Sequence, residues 1–128
     1  MKTRRIDAHK DGSFLNQLIE IEALGEPGKG GANHTYMIRS GGPAGCGHQI
    51  QFQSKDPADG IDGLSMEALL AICADRLVGF QAGTFACDEN ANALACIHRA
   101  AHFLAERTRA RIAGGKEAKA EPAAADAA

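Results

Sequence analysis

Two consecutive stretches decide the fold class: Ser65–Gly83, SMEALLAICADRLVGFQAG, and Asp88–Gly115, DENANALACIHRAAHFLAERTRARIAGG. In the first, Met66, Leu69, Leu70, Cys73, Leu77 and Phe80 recur every three or four residues, the stripe of an amphipathic helix. Ser65 is a favourable N-cap, Glu67 places a carboxylate in the first turn, and Gly79 and Gly83 are expected to end the helix. In the second, the stripe runs through Leu94, Ile97, Ala101, Leu104, Ala105 and Ile112. There Asp88 is expected to cap the amides of Asn90 and Ala91, and Gly114-Gly115 to terminate the helix. About 25 residues at 1.5 Å rise give a rod nearly 40 Å long, more than a small sheet can cover. Its excess must meet solvent or another subunit. The pattern predicts a helical hairpin over residues 64–114.

Upstream the period changes from 3.6 to two. Ile19, Ile21 and Ala23 alternate with Glu20 and Glu22, which reads as a half-buried strand within Phe14–Leu24; a helix over Phe14–Glu22 is the alternative. The runs His34–Arg39 and His48–Gln53 alternate in the same way, with Tyr36, Ile38, Ile50 and Phe52 on inner faces and glutamines outside. Gly-rich loops separate them, so three strands form an antiparallel meander with one wet side. The expected class is α+β, a small antiparallel sheet over 13–56 packed on the hairpin, all within one domain spanning 13–115. Residues 1–12 are polar and patternless and are expected to be loose, and the Ala/Glu/Lys-rich segment 116–128 to be a disordered tail.

Composition narrows the function classes. The 128 residues suffice for one ordinary domain. Fourteen Lys plus Arg against sixteen Asp plus Glu give a net charge of −2, which argues against a general binder of polymeric nucleic acid. No apolar run approaches a membrane span, and no apolar segment follows the basic Met1–Arg5 start, so a secretory leader is not expected and a cytoplasmic location is. Cys46, Cys73, Cys87 and Cys96 form no C-x-x-C pair and read as reduced core thiols.

Catalytic signatures are absent from the sequence: there is no nucleophile elbow, H-E-x-x-H or Rossmann fingerprint. The Gly28-Lys29-Gly30-Gly31 cluster lacks the Ser or Thr and the spacing of a P-loop. His98 and His102, four apart, could share a metal, but nothing nearby completes a ligand set, so no metal or cofactor is expected. A charge asymmetry is more informative. Between Ile97 and Lys116, Arg99, Arg107, Arg109, Arg111 and Lys116 face Glu106 alone, a local +4. Arg107 and Arg111 project from one helix face that Phe103 continues one turn earlier. A ring followed by forked cations suits a base or ribose with phosphates; arginines that merely complement the helix dipole are the alternative.

The stretch Gly79–Ala91 (GFQAGTFACDENA) and the run Glu106–Arg111 (ERTRAR) with its glycine end resemble the hairpin domain of phage-encoded anti-Thoeris and anti-CBASS sponges. The resemblance spans Ser65–Gly115 and, more loosely, Gly31–Tyr36 and His48–Gln53. It implies a non-catalytic protein of the host bacterial cytoplasm that binds and hides cyclic nucleotide immune signals, glycocyclic ADP-ribose or cyclic oligonucleotides. It also implies a homodimer able to assemble to a hexamer, with ligand held between subunits. The contacting residues would be Phe80, Asn90, Arg107 and Arg111; Phe103 and Arg109 complete the candidate set. Phe80 would stack on adenine, while Phe85 is expected to seal the hairpin corner as a core ring. Thr84 and Asp88 depart from the family pattern, where a Pro and a basic residue are frequent. An enzyme degrading the same signals and a protein-gripping hairpin are the competing readings.

Overall fold

A computed structural model describes residues 1–42 and 45–117. The chain divides into two compact units, Met1–Lys55 with Gly60–Leu64, and Asp56–Asp59 with the chain from Ser65 on. The first carries the sheet and the second the helical hairpin, so the class is α+β. Of the expected C-terminal tail, residues from 118 on lie outside the described residues.

The sheet has four antiparallel strands in sequence order, not three: β1 (Thr3–Ile6), β2 (Glu20–Leu24), β3 (Thr35–Arg39) and β4 (Gly47–Gln51). The extra strand lies in the segment expected to be loose. Thr3–Ile6 pairs with β2 in the register Arg4↔Ala23 and Ile6↔Ile21. Polar contacts fix it: the Arg4 guanidinium donates to Asn33 Oδ1 at 3.0 Å, and Arg5 pairs with Glu20. Two arginines on an edge strand also discourage pairing with a foreign strand.

Phe14–Gln17 is a helical turn, α1, so the strand begins only at Glu20. Ser13 caps the turn, its hydroxyl accepting from the Asn16 N–H at 3.2 Å, and Asp11 accepts from the Ser13 N–H at 3.0 Å. Capping by short polar side chains overrides the strand tendency locally.

The alternation of β2, β3 and β4 is realised as expected. One face aligns Ile6, Ile21, Ile38 and His48, and beside them Arg4, Ala23, Tyr36 and Ile50. Ala23 in its middle is fully buried, and the Phe52 ring meets Tyr36 edge-on with centroids 5.7 Å apart. The opposite face is polar: Arg39 bonds Glu22 at 2.9 Å and Thr35 donates to Gln51 at 2.7 Å. A strand shifted by one residue would bury these charges, so the pattern fixes the register.

In the second unit α2 spans Met66–Gln81 and α3 spans Asp88–Ala113. Ser65 caps α2 as expected, accepting from the Ala68 N–H at 3.2 Å. Gly79 does not stop the helix, which continues to Gln81. The cap of α3 is Cys87, not Asp88: its backbone is extended and its Sγ accepts from the Asn90 N–H at 3.4 Å, leaving Asp88 and Glu89 in the first turn. Gly114 caps the far end, with Gly115 in the left-handed region at φ 72°.

The half-buried positions of the hairpin are Leu69, Asn90, Ala105 and Ile112 together with two regular series, Glu67, Leu70, Ala74, Leu77 and Gln81 on α2, and Leu94, Ile97, Ala101, Leu104 and Thr108 on α3. Spacings of three and four repeat on both, the period of a coiled-coil seam. On α2 the seam passes through Ala74 and not Cys73. Neither helix contains a fully buried residue, and Met66, Ile72, Val78 and Phe103 stand exposed. All four cysteines are free and exposed, correcting the expectation of core thiols. None of the described helices is long and apolar enough to cross a membrane.

Candidate functional site

The hairpin turns through Gly83-Thr84-Phe85-Ala86-Cys87, and that corner is tied down by side chains of the flanking helices. Gln81, the last residue of α2, accepts from the Cys87 N–H at 3.0 Å. From the first turn of α3, Asn90 Nδ2 donates to the Phe85 carbonyl at 3.4 Å. These bonds satisfy backbone groups that a tight corner would otherwise leave to water.

Above the corner lies an open concavity of about 440 Å³ lined by Leu77, Phe80, Phe85 and Asn90. The rings of Phe80 and Phe85 stand perpendicular, 6.4 Å apart at their centroids. The Arg76 guanidinium, one helical turn before Phe80, lies 5.4 Å from that ring's centroid, a cation–π contact. Its volume falls in the ~300–1,000 Å³ range of small-molecule sites. Two of the predicted residues, Phe80 and Asn90, are therefore together. Phe85 corrects its expected role: it is 74% exposed, twice the 37% of Phe80, and is not a core ring. Sequence reasoning assigns no site role to Arg76, which the structure sets against the Phe80 ring at the notch.

The remaining predicted residues lie elsewhere on the same chain. Arg107 follows Asn90 by 17 positions on one continuous helix, about 25 Å along its axis. Within one chain the notch and the arginines share no hollow. Around Phe103, which is 56% exposed, Arg99 sits 5.6 Å from the ring centroid and the His102 ring meets it at 5.5 Å. Each terminal arginine has a carboxylate. Arg107 reaches Glu67 at 4.0 Å, Arg109 bonds Glu106 at 3.1 Å, and Arg111 bonds Glu117 at 3.1 Å. Glu106 was the one acid expected there; Glu67 enters from the other helix and Glu117 from beyond the glycines.

The hydrogen bond and charge of Arg109 hold the Glu106 carboxyl below its ordinary value. All three pairs lie at the surface, where ion pairs are weak, so a phosphate displaces the Glu67 or Glu117 carboxylate at small cost. Arg107 and Arg111 share a face, but Arg109 points about 200° around the helix from Arg107. It does not belong with them.

A second groove, smaller at about 370 Å³, runs between Leu70, Ala74 and Val78 on α2 and Ile97, His98 and Ala101 on α3. Among the described residues no three His, Cys, Asp or Glu side chains converge as metal ligands. No family model matches the sequence, and no curated protein matches it.

Proposed function

We propose that this protein is a non-catalytic sponge for small cyclic nucleotides, glycocyclic ADP-ribose or cyclic oligonucleotides, and that it acts against bacterial antiphage signalling. The observation that carries this reading is the notch: two aromatic rings and one carboxamide around an open cavity at the hairpin corner. Rings accept a base face, with stacking worth about 1–3 kcal/mol per base, and the Asn90 amide offers a donor and an acceptor to a base or ribose edge. The resemblance of Gly79–Ala91 and Glu106–Arg111 to the phage sponges supports the same reading and supplies the ligand class.

The phosphates need cations, and among the described residues no cation lines the notch, though Arg76 stands beside Phe80. A second copy answers this: Arg107 and Arg111 of one protomer would close the notch of its partner, as the resemblance implies for a homodimer. The exposed apolar residues of both helices favour such an assembly, because a two-helix hairpin without a buried residue is marginal alone. A nanomolar dissociation constant, about −12 kcal/mol, is the scale on which a sponge competes with a signalling receptor.

Calorimetric titration with glycocyclic ADP-ribose isomers and with cyclic di- and trinucleotides tests the proposal. Tight, saturable binding of one of them is expected. Binding of none, with a host protein retained on the hairpin instead, would favour the second reading, a protein-gripping surface, to which exposed Ile72, Val78 and Phe103 also lend themselves.

A further inference from the structure

We infer that the outer edge of β4 is a self-pairing interface, at which β4 adds antiparallel to β4 of a second copy about a two-fold axis through Gln49. The two edges of the sheet are built differently. β1 carries Arg4 and Arg5, the kind of charge that blocks strand addition. β4, Gly47-His48-Gln49-Ile50-Gln51, holds no charged residue and no proline, and its first three residues are exposed. Among the described residues no strand lies beyond it.

The open backbone has a defined length. The Ser40 N–H donates to the Cys46 carbonyl at 2.9 Å and the Phe52 N–H to the His34 carbonyl at 2.7 Å, so Cys46, His48, Ile50 and Phe52 turn their backbone groups toward β3. Those of Gly47, Gln49 and Gln51 therefore point outward. One end of this outward row is already used. The Leu64 N–H donates to the Gln51 carbonyl and the Gln53 N–H to the Leu64 carbonyl, both at 2.9 Å. Room remains opposite Gly47–Gln51, five residues, which is the length of β4 itself. A longer foreign strand would run into Leu64.

The open row is complementary to its own copy. With Gln49 opposite the partner's Gln49, the two exchange both N–H···O bonds. Gly47 does the same with the partner's Gln51, whose carbonyl keeps a second lone pair beside its Leu64 bond. His48 then lies opposite the partner's Ile50, so the face that carries Ile21, Ile38 and Ile50 continues across the axis. No like charges meet, because β4 has none. This contact is separate from the hairpin contact proposed above and does not draw on the nucleotide reading. Two different two-fold contacts on one chain build assemblies larger than a dimer.

Gln49→Pro removes the outward N–H and leaves the bonds to β3 intact, and Gln49→Lys sets two ammonium groups against each other at the axis. In sedimentation at equal concentration, both variants should show about half the wild-type mass or less, with unchanged far-UV circular dichroism. In wild-type protein the Gln49 amide should resist hydrogen exchange as the His48 and Ile50 amides inside the sheet do. That measurement needs no variant, so it decides even where a substitution prevents folding. Equal masses for wild type and folded variants, or a Gln49 amide that exchanges freely, would overturn the pairing. Protection of Gln49 that appears only with a bound host protein would assign the edge to a foreign strand and overturn it as well.

Discussion

Arg107, Arg109 and Arg111 lie within five residues of one another, yet their geometry separates their roles. Arg107 and Arg111 share a helix face, whereas Arg109 is turned away and holds Glu106 at 3.1 Å. Arg107→Ala and Arg111→Ala should each weaken nucleotide binding by tenfold or more in calorimetry, consistent with loss of a charge-assisted hydrogen bond, while the melting temperature barely moves. Arg109→Ala should bind within twofold of wild type. At the other end of α3, Cys87 does the work expected of Asp88. Cys87→Ala should lower the melting temperature slightly and Cys87→Ser should raise it, because a hydroxyl is the stronger acceptor at this cap. Spacing alone does not separate Cys87 from Asp88, because a cap is chosen by which residue is extended, and thiols are weak acceptors that sequence reading passes over.

Among the elements, α2 and α3 were legible because a three-and-four apolar spacing persists over many turns and both ends carry capping residues. Gly79 misled: at an interior helical position it only lowers propensity, and the helix continues past it. A Cβ there would meet nothing within 4 Å, so Gly79→Ala should stabilise α2 by about 0.5–1 kcal/mol, measurable as a rise in melting temperature, without touching the notch. Strand β1 was not legible. Thr3–Ile6 holds one apolar residue, and its place is set by pairing with β2, by the Arg5–Glu20 ion pair and by the Arg4–Asn33 hydrogen bond, which leave no period in the sequence. The apolar residues of α1 face solvent, so they too leave no inward stripe.

The carboxylates that fasten these elements give the sheet unit an acid limit. Glu20 is held below its ordinary value, first by the Lys10 ammonium and then by Arg5, and Asp11 by the Ser13 amide. A group depressed on folding contributes in full above its unfolded pKa, about 4, and loses that contribution as pH falls through its lower folded value. The melting temperature should therefore drop between about pH 5 and pH 3, and Glu20→Gln should show a shallower drop across that range.

For the whole molecule, the candidate site was half legible. That Phe80 and Asn90 meet follows from a ten-residue separation across a tight corner, and that Arg107 lies about 25 Å from Asn90 follows from helix rise. The exposure of Phe85 did not follow, since a ring at a turn reads equally as plug or platform until its neighbours are placed. The distance between notch and arginines makes the second copy part of the proposal. Sedimentation should find a dimer or larger species whose stability rises with protein concentration.

Capture without conversion can be read in one mass-spectrometric experiment. Protein is saturated with glycocyclic ADP-ribose or a cyclic trinucleotide, freed of unbound ligand, and denatured by heat. Recovery of the same molecule, unchanged and in stoichiometric amount, is the predicted result. A linear or hydrolysed product, or a supernatant holding no nucleotide at all, would contradict it.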